Sequence, residues 1–117
     1  MPHIHLHTSA DLVENTDIPE ILTCLADRLA QAMAGKGDRV RAYHTLHNNW
    51  VTGTAARSGF AHVEVVMRDG DRTPTPDQLS ELMLQALKEL FRQSIDLNEV
   101  ELSAEVRCVS PTVFRSA

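Results

Sequence analysis

Proline follows the initiator methionine, and three histidines alternate directly after it, in Met1-Pro2-His3-Ile4-His5-Leu6-His7. A small second residue usually allows methionine to be removed, which leaves Pro2 with a free secondary amine at the mouth of a strand. An α-amino group has an ordinary pKa of about 7.7–8.0, and proline's amine is intrinsically more basic. It serves as a base near neutral pH only where burial and neighbouring cations disfavour its protonated form. Without such surroundings Pro2 is simply a permissive second residue, compatible with a strand edge. The cations available are Arg39 and Arg41, two residues apart, and Arg72. A guanidinium grips an anion through two parallel hydrogen bonds. The bland alternatives are a charged strand edge for Arg39 and Arg41, and a solvated turn for Arg72, paired with Asp69 or Asp71. The histidines carry a rival chemistry, because alternate histidines can chelate one metal ion. His44, His47 and His62 are the candidates to complete such a site. No carboxylate or cysteine sits at matching spacing, so no metal is expected.

These residues have to be positioned by regular elements. His3 to Thr8 alternates, with Ile4 and Leu6 on one face and the histidines on the other, as a half-buried strand does. Ser9 to Asn15 reads as a polar loop. Thr16 or Asp17 caps a helix with Pro19 in its first turn, and Ile18, Ile21, Leu22, Leu25, Ala26, Leu29 and Met33 fall on one face of it. Gly35 and Gly37 end it. A second strand runs from Arg39 to about His47. Val40, Ala42, His44 and Leu46 share one face, and Arg39, Arg41, Tyr43, Thr45 and His47 the other. Arg39 and Arg41 then lie about 7 Å apart along the strand.

Asn48 to Gly59 is a loop or irregular hairpin whose Trp50 needs somewhere to bury its ring. Phe60 to Met67 is a third strand, with Ala61, Val63, Val65 and Met67 on one face. A charged turn covers Arg68 to Pro74. Thr75-Pro76-Asp77-Gln78 is a capping box with proline at the first helical position. The helix after it buries Leu79, Leu82, Met83, Ala86, Leu87, Leu90 and Phe91, and ends near Ser94. From Asn98, Val100, Leu102, Ala104, Val106 and Cys108 alternate with Glu101, Ser103, Glu105 and Arg107. The tail from Ser110 to Ala117 has no period.

The order is β-α-β twice, an α+β chain with both helices on one face of a four-stranded sheet. The other face carries His3, His5, His7, Arg41, Glu101 and Glu105, and meets either water or other subunits. A length of 117 residues fits a single domain over 1–117. With 43% apolar residues it can build a core, and a chain this short gains from further burial in an oligomer. A net charge of -5 argues against nucleic acid or an anionic membrane as partner. No run spans a bilayer, and no charged-then-apolar leader is present. Cys24 and Cys108 read as reduced, core-facing thiols of a cytoplasmic protein.

Met1-Pro2-His3, the doubled β-α-β layout, the Arg39/Arg41 pair, Arg72 before the second helix and the tail Ser110-Pro111-Thr112-Val113-Phe114 together resemble the 5-carboxymethyl-2-hydroxymuconate isomerase family of the tautomerase superfamily. The resemblance covers nearly the whole chain, though no single motif in it is long. It implies a tautomerase-like mixed sheet, a homotrimer with sheets inside and helices outside, and a site around Pro2 at a subunit boundary. It implies a small carboxylate substrate, an acyclic, multiply carboxylated dienol from aromatic ring cleavage, and no cofactor. In that setting Pro2 is the catalytic base, while Arg72 and either Arg39 or Arg41, with Arg41 favoured, bind substrate carboxylates. His5, His7 and the Trp50 loop depart from the family pattern. Two other readings follow: a binding protein of the same fold whose pocket has drifted, and a His-rich metal-binding module with a ferredoxin-like antiparallel sheet. Sheet topology separates the last from the rest.

Overall fold

The computed structural model describes residues 2–33, 39–53, 58–68 and 74–109. Its strands are β1 (His3–Ser9), β2 (Arg41–His47), β3 (Gly59–Arg68) and β4 (Val100–Val109), and its helices are α1 (Ile18–Ala32), α2 (Pro76–Leu90) and α3 (Arg92–Leu97). The sheet order is β2-β1-β3-β4. β1 pairs parallel with β2 and antiparallel with β3, and β3 pairs parallel with β4. A parallel pair requires a long crossover, and each β-α-β half supplies one through a helix. The parallel pairs remove the ferredoxin-like alternative, whose sheet is antiparallel throughout.

The two central strands bury one face completely. Ile4 and Leu6 of β1 and Ala61, Val63 and Val65 of β3 have no exposed surface. They meet Ile21, Leu25 and Leu29 from α1, Met33 just after it, and Leu79, Met83, Ala86 and Leu87 from α2. The three- and four-residue steps explain why each helix turns one stripe to the sheet. Each fully buried leucine is worth about 1.5–3 kcal/mol. The exposed Arg28–Glu89 ion pair between α1 and α2 is worth at most about 1 kcal/mol, so packing rather than charge joins the helices to the sheet. α2 starts as its sequence demands. Thr75 Oγ1 accepts the Gln78 N–H at 3.2 Å, and Gln78 Oε1 accepts the Thr75 N–H at 2.8 Å.

Several elements differ from the sequence reading. The segment 9–15 is not only a polar loop: Val13–Asp17 forms a 3-10 turn, and Leu12 and Glu14 are buried. Asp17 precedes α1 without a side-chain cap, and Thr16 Oγ1 turns back to the Val13 carbonyl at 3.3 Å. α2 stops at Leu90. Phe91, fully buried, takes φ -107° and ψ 26°, and a separate short helix, α3, follows. Cys108 is exposed and Cys24 half-buried, so neither is a core thiol. Cys108 lies near the end of the outer strand β4, where burial is incomplete throughout. Gly35, Gly37, Arg72 and the 110–117 tail lie outside the described residues. No helix among the described residues is long and apolar enough to cross a membrane.

Candidate active site

Pro2 is buried at the entrance of the central strand β1. Its carbonyl accepts the Arg41 N–H at 3.1 Å, which ties the first residue of β2 to the N-terminus. His3 pairs with Arg41 on one side and with Val66 on the other, so the register places Pro2 between Val40 and Met67. Val40 is half-buried and Met67 buried. The position therefore has apolar neighbours in register. Arg39 and Arg41 flank Val40 and are both exposed. The structure therefore brings Pro2, Arg39 and Arg41 to one corner of the sheet. Arg41 shares the helix-free face with His3, and its backbone bond to Pro2 fixes where its side chain departs.

The helix-free face is richer in histidine than the N-terminal stretch alone indicates. Register sets His7 beside Thr45 and His62, and His5 beside Tyr43 and Glu64. The His7 Nδ1 and His47 Nε2 atoms are 2.8 Å apart, and the rings of His5 and His7 lie 3.9 Å apart between centroids. Burial first, then the His5, His47 and His62 rings, lower the His7 pKa below its ordinary 6.5, and Glu64 opposes them. His44 lies on the other face. Thr8 Oγ1 donates to Asn15 Oδ1 at 2.7 Å, so it accepts from His44 Nε2–H at 2.7 Å. Burial, followed by His47 and His5, lowers the His44 pKa as well. Among the described residues no group of three or more His, Cys, Asp or Glu is arranged to hold a metal ion.

At the far end of β1, Ser9 Oγ donates to Asp11 Oδ1 at 2.6 Å and accepts the Phe60 N–H at 2.8 Å. Trp50 finds its shelter here. Its indole N–H donates to the Ser58 carbonyl at 2.8 Å, and its ring meets Phe60 edge-on. A concavity of about 410 Å³ beside it is lined by Ala10, Asp11, Asn48 and Trp50. A second, of about 430 Å³, lies under Lys88, Arg92 and Ile95. Neither touches Pro2, Arg39 or Arg41.

Pro2, Arg39 and Arg41 thus share one corner of a mixed sheet built from two β-α-β units, a fold that known proteins match. The model of the 5-carboxymethyl-2-hydroxymuconate isomerase family matches residues 2–116. The chain belongs to that family. It is an isomerase with the tautomerase fold. Among solved structures, a 5-carboxymethyl-2-hydroxymuconate isomerase from Deinococcus radiodurans R1 is 22% identical, with 99% of this chain and 88% of that one covered and a TM-score of 0.77. A 5-carboxymethyl-2-hydroxymuconate delta-isomerase is 18% identical over 100% of this chain and 87% of that one, with a TM-score of 0.79. A fused 4-OT described as a symmetric trimer is 16% identical over 98% and 91%, with a TM-score of 0.74. No curated protein sequence matches the chain.

Proposed function

We propose that the isomerase converts an enol or dienol dicarboxylate, similar to 5-carboxymethyl-2-hydroxymuconate, into its unsaturated keto form. The reaction moves one proton from the enol oxygen to a distant carbon. It needs a base that takes and returns that proton, and positive charge to hold the dienolate formed between. Pro2, freed by loss of Met1, supplies the base. Arg41 or Arg39, together with Arg72, holds the carboxylates. The observation that carries this reading is the burial of Pro2 at the head of the central strand, with Arg41 bonded to it, in a chain whose family match begins at residue 2. Proton transfer of this kind calls for no redox or metal cofactor. The family suggests a substrate from aromatic ring cleavage, and the free thiols suit the cytoplasm.

We place a second copy of the chain beside the Pro2 corner, in a homotrimer. The fused 4-OT relatives described as symmetric trimers support this. So does the charge of the two outer strands. β2 presents Arg41 and β4 presents Glu101, Glu105 and Arg107, all exposed, so the two outer strands carry opposite net charge. The test is ketonisation of 2-hydroxymuconate. Pro2→Ala abolishes it and leaves the circular dichroism spectrum intact. Unchanged turnover in that variant refutes Pro2 as base.

A further inference from the structure

The helix-free sheet face gathers five of the six histidines of the chain, and the proposed reaction uses none of them. His3, His5 and His7 stand on β1, His47 on β2 and His62 on β3. His7 is the centre. Its ring centroid is 3.9 Å from that of His5, 5.1 Å from His47 and 6.0 Å from His62. The bond of 2.8 Å between His7 Nδ1 and His47 Nε2 needs a hydrogen on one nitrogen and a lone pair on the other. It therefore cannot survive with both rings as imidazolium. His5 Nε2 and His62 Nδ1 are held by hydroxyls, Thr45 Oγ1 and Ser103 Oγ, each at 2.7 Å.

Among the described residues, three carboxylates stand on this face. From β3, Glu64 pairs with His5 in register and already accepts from Arg107 of β4 at 3.4 Å. From β4, Glu105 stands 3.8 Å from His62, and Glu101 lies beside Phe60 instead. β2 adds the positive Arg41 beside His3 and the phenol of Tyr43 beside His5. On the opposite face His44 is engaged by Thr8. With neutral histidines, Arg41 and Arg107 stand against Glu64, Glu101 and Glu105 among the strand side chains described on this face, and Arg39 adds a further positive charge just before β2. Full protonation adds as many as five positive charges per copy.

We infer that this histidine face is a proton-operated switch of assembly, holding copies of the chain together while its imidazoles are neutral and releasing them as the imidazoles are protonated. The inference rests on the homotrimer reading above, in which the occupant of the face is further copies of this chain. Assembly removes water from a half-exposed cluster and brings several clusters toward one another. Both effects penalise imidazolium more in the trimer than in the free copy. The free copy therefore binds more protons, and acid drives dissociation by linkage. Within one copy the same two causes, burial first and then His5, His47 and His62, already lower the His7 pKa.

Sedimentation equilibrium of the full chain from pH 8.0 to 5.0 tests this, with circular dichroism recorded on the same samples. The expected result is a trimer at pH 8.0 that dissociates into folded smaller species, its association weakened at least tenfold between pH 7.0 and 5.5. His7→Gln/His47→Gln reduces that change to less than threefold. If the double variant does not fold, His62→Gln alone carries the test and lowers the pH dependence at least twofold. A trimer whose association is unchanged down to pH 5.0, a variant with the wild-type pH dependence, or dissociation only together with unfolding overturns the switch and leaves the trimer standing. A monomer at pH 8.0 overturns the trimer reading, and the switch with it.

Discussion

Replacing Glu14 with alanine removes a bond that spans eighty residues of sequence. Glu14 lies in the 3-10 turn between β1 and α1, 6% exposed, and Ser94 lies in α3, 1% exposed. The carboxylate accepts the Ser94 N–H at 3.1 Å and its hydroxyl at 2.6 Å, while Ser94 Oγ accepts the Val13 N–H at 2.9 Å. The Ser94 N–H belongs to the first turn of α3, where a helix has no internal partner for its donors, and Phe91 gives no side-chain cap. Glu14 is what satisfies it. A hydrogen bond to a charged group contributes about 1.5–3 kcal/mol net, and a buried donor left unpaired costs about 1–3 kcal/mol. Two bonds are lost together and water can enter part of the space, so Glu14→Ala should cost about 3 kcal/mol. For a chain of this size that is a fall in Tm of about 12 °C, at about 4 °C per kcal/mol. The assay is urea unfolding at matched protein concentration, because assembly contributes to apparent stability. Ser94→Ala and the double variant complete a cycle whose coupling should exceed about 1 kcal/mol. Glu14→Ala within about 0.5 kcal/mol of wild type, or an additive cycle, would refute the reasoning.

Other outcomes follow from the same geometry. Thr75→Ala breaks one half of the capping box and should cost about 1 kcal/mol, read as faster hydrogen exchange confined to the first turn of α2. Gly59→Ala places a Cβ 2.8 Å from Asp11 Oδ1 and 3.0 Å from Leu12 Cδ2. Asp11 is restrained by the Ser9 hydroxyl, so the clash should cost about 1–2 kcal/mol, in the range of small overpacking changes. His7 and His44 both have folded-state pKa values below the ordinary 6.5. The stability they contribute is complete above pH 6.5 and is lost as pH falls through their folded values, since the unfolded chain takes up protons first. Urea midpoints at pH 7.5 and 5.5 should show that fall, and His7→Gln should flatten it.

Periodicity made much of the fold legible. Period-2 patterns in β1, β3 and β4 and the apolar stripes of α1 and α2 separate the two sheet faces, because burial of one face selects for alternation. Thr75 to Gln78 announced its capping box, since that chemistry is local. The break at Phe91 was hidden: an apolar helical step continues through Leu87, Phe91 and Ile95, and only the backbone angles at Phe91 reveal the joint. Glu14 reads as a loop acid because its partner is remote in sequence. Cys108 alternates like a core residue, yet it sits near the end of an outer strand. At the site, Met1-Pro2 is a local signal and was visible. Alternation gives Arg39 and Arg41 the same face, and the bond that ties Arg41 to Pro2 emerges only when β2 is laid beside β1. The histidine face needed register as well, because His47 and His62 come from β2 and β3.

The proposed proton transfer depends on the chemical state of one nitrogen, that of Pro2. NMR of protein labelled with ¹⁵N-proline follows the Pro2 nitrogen directly across pH. A free amine whose midpoint lies at or below the ordinary α-amino range of about 7.7–8.0, and which shifts when a dicarboxylate dienol analogue binds, is the predicted result. A Pro2 nitrogen that does not titrate, as an amide carrying a retained Met1, would contradict it.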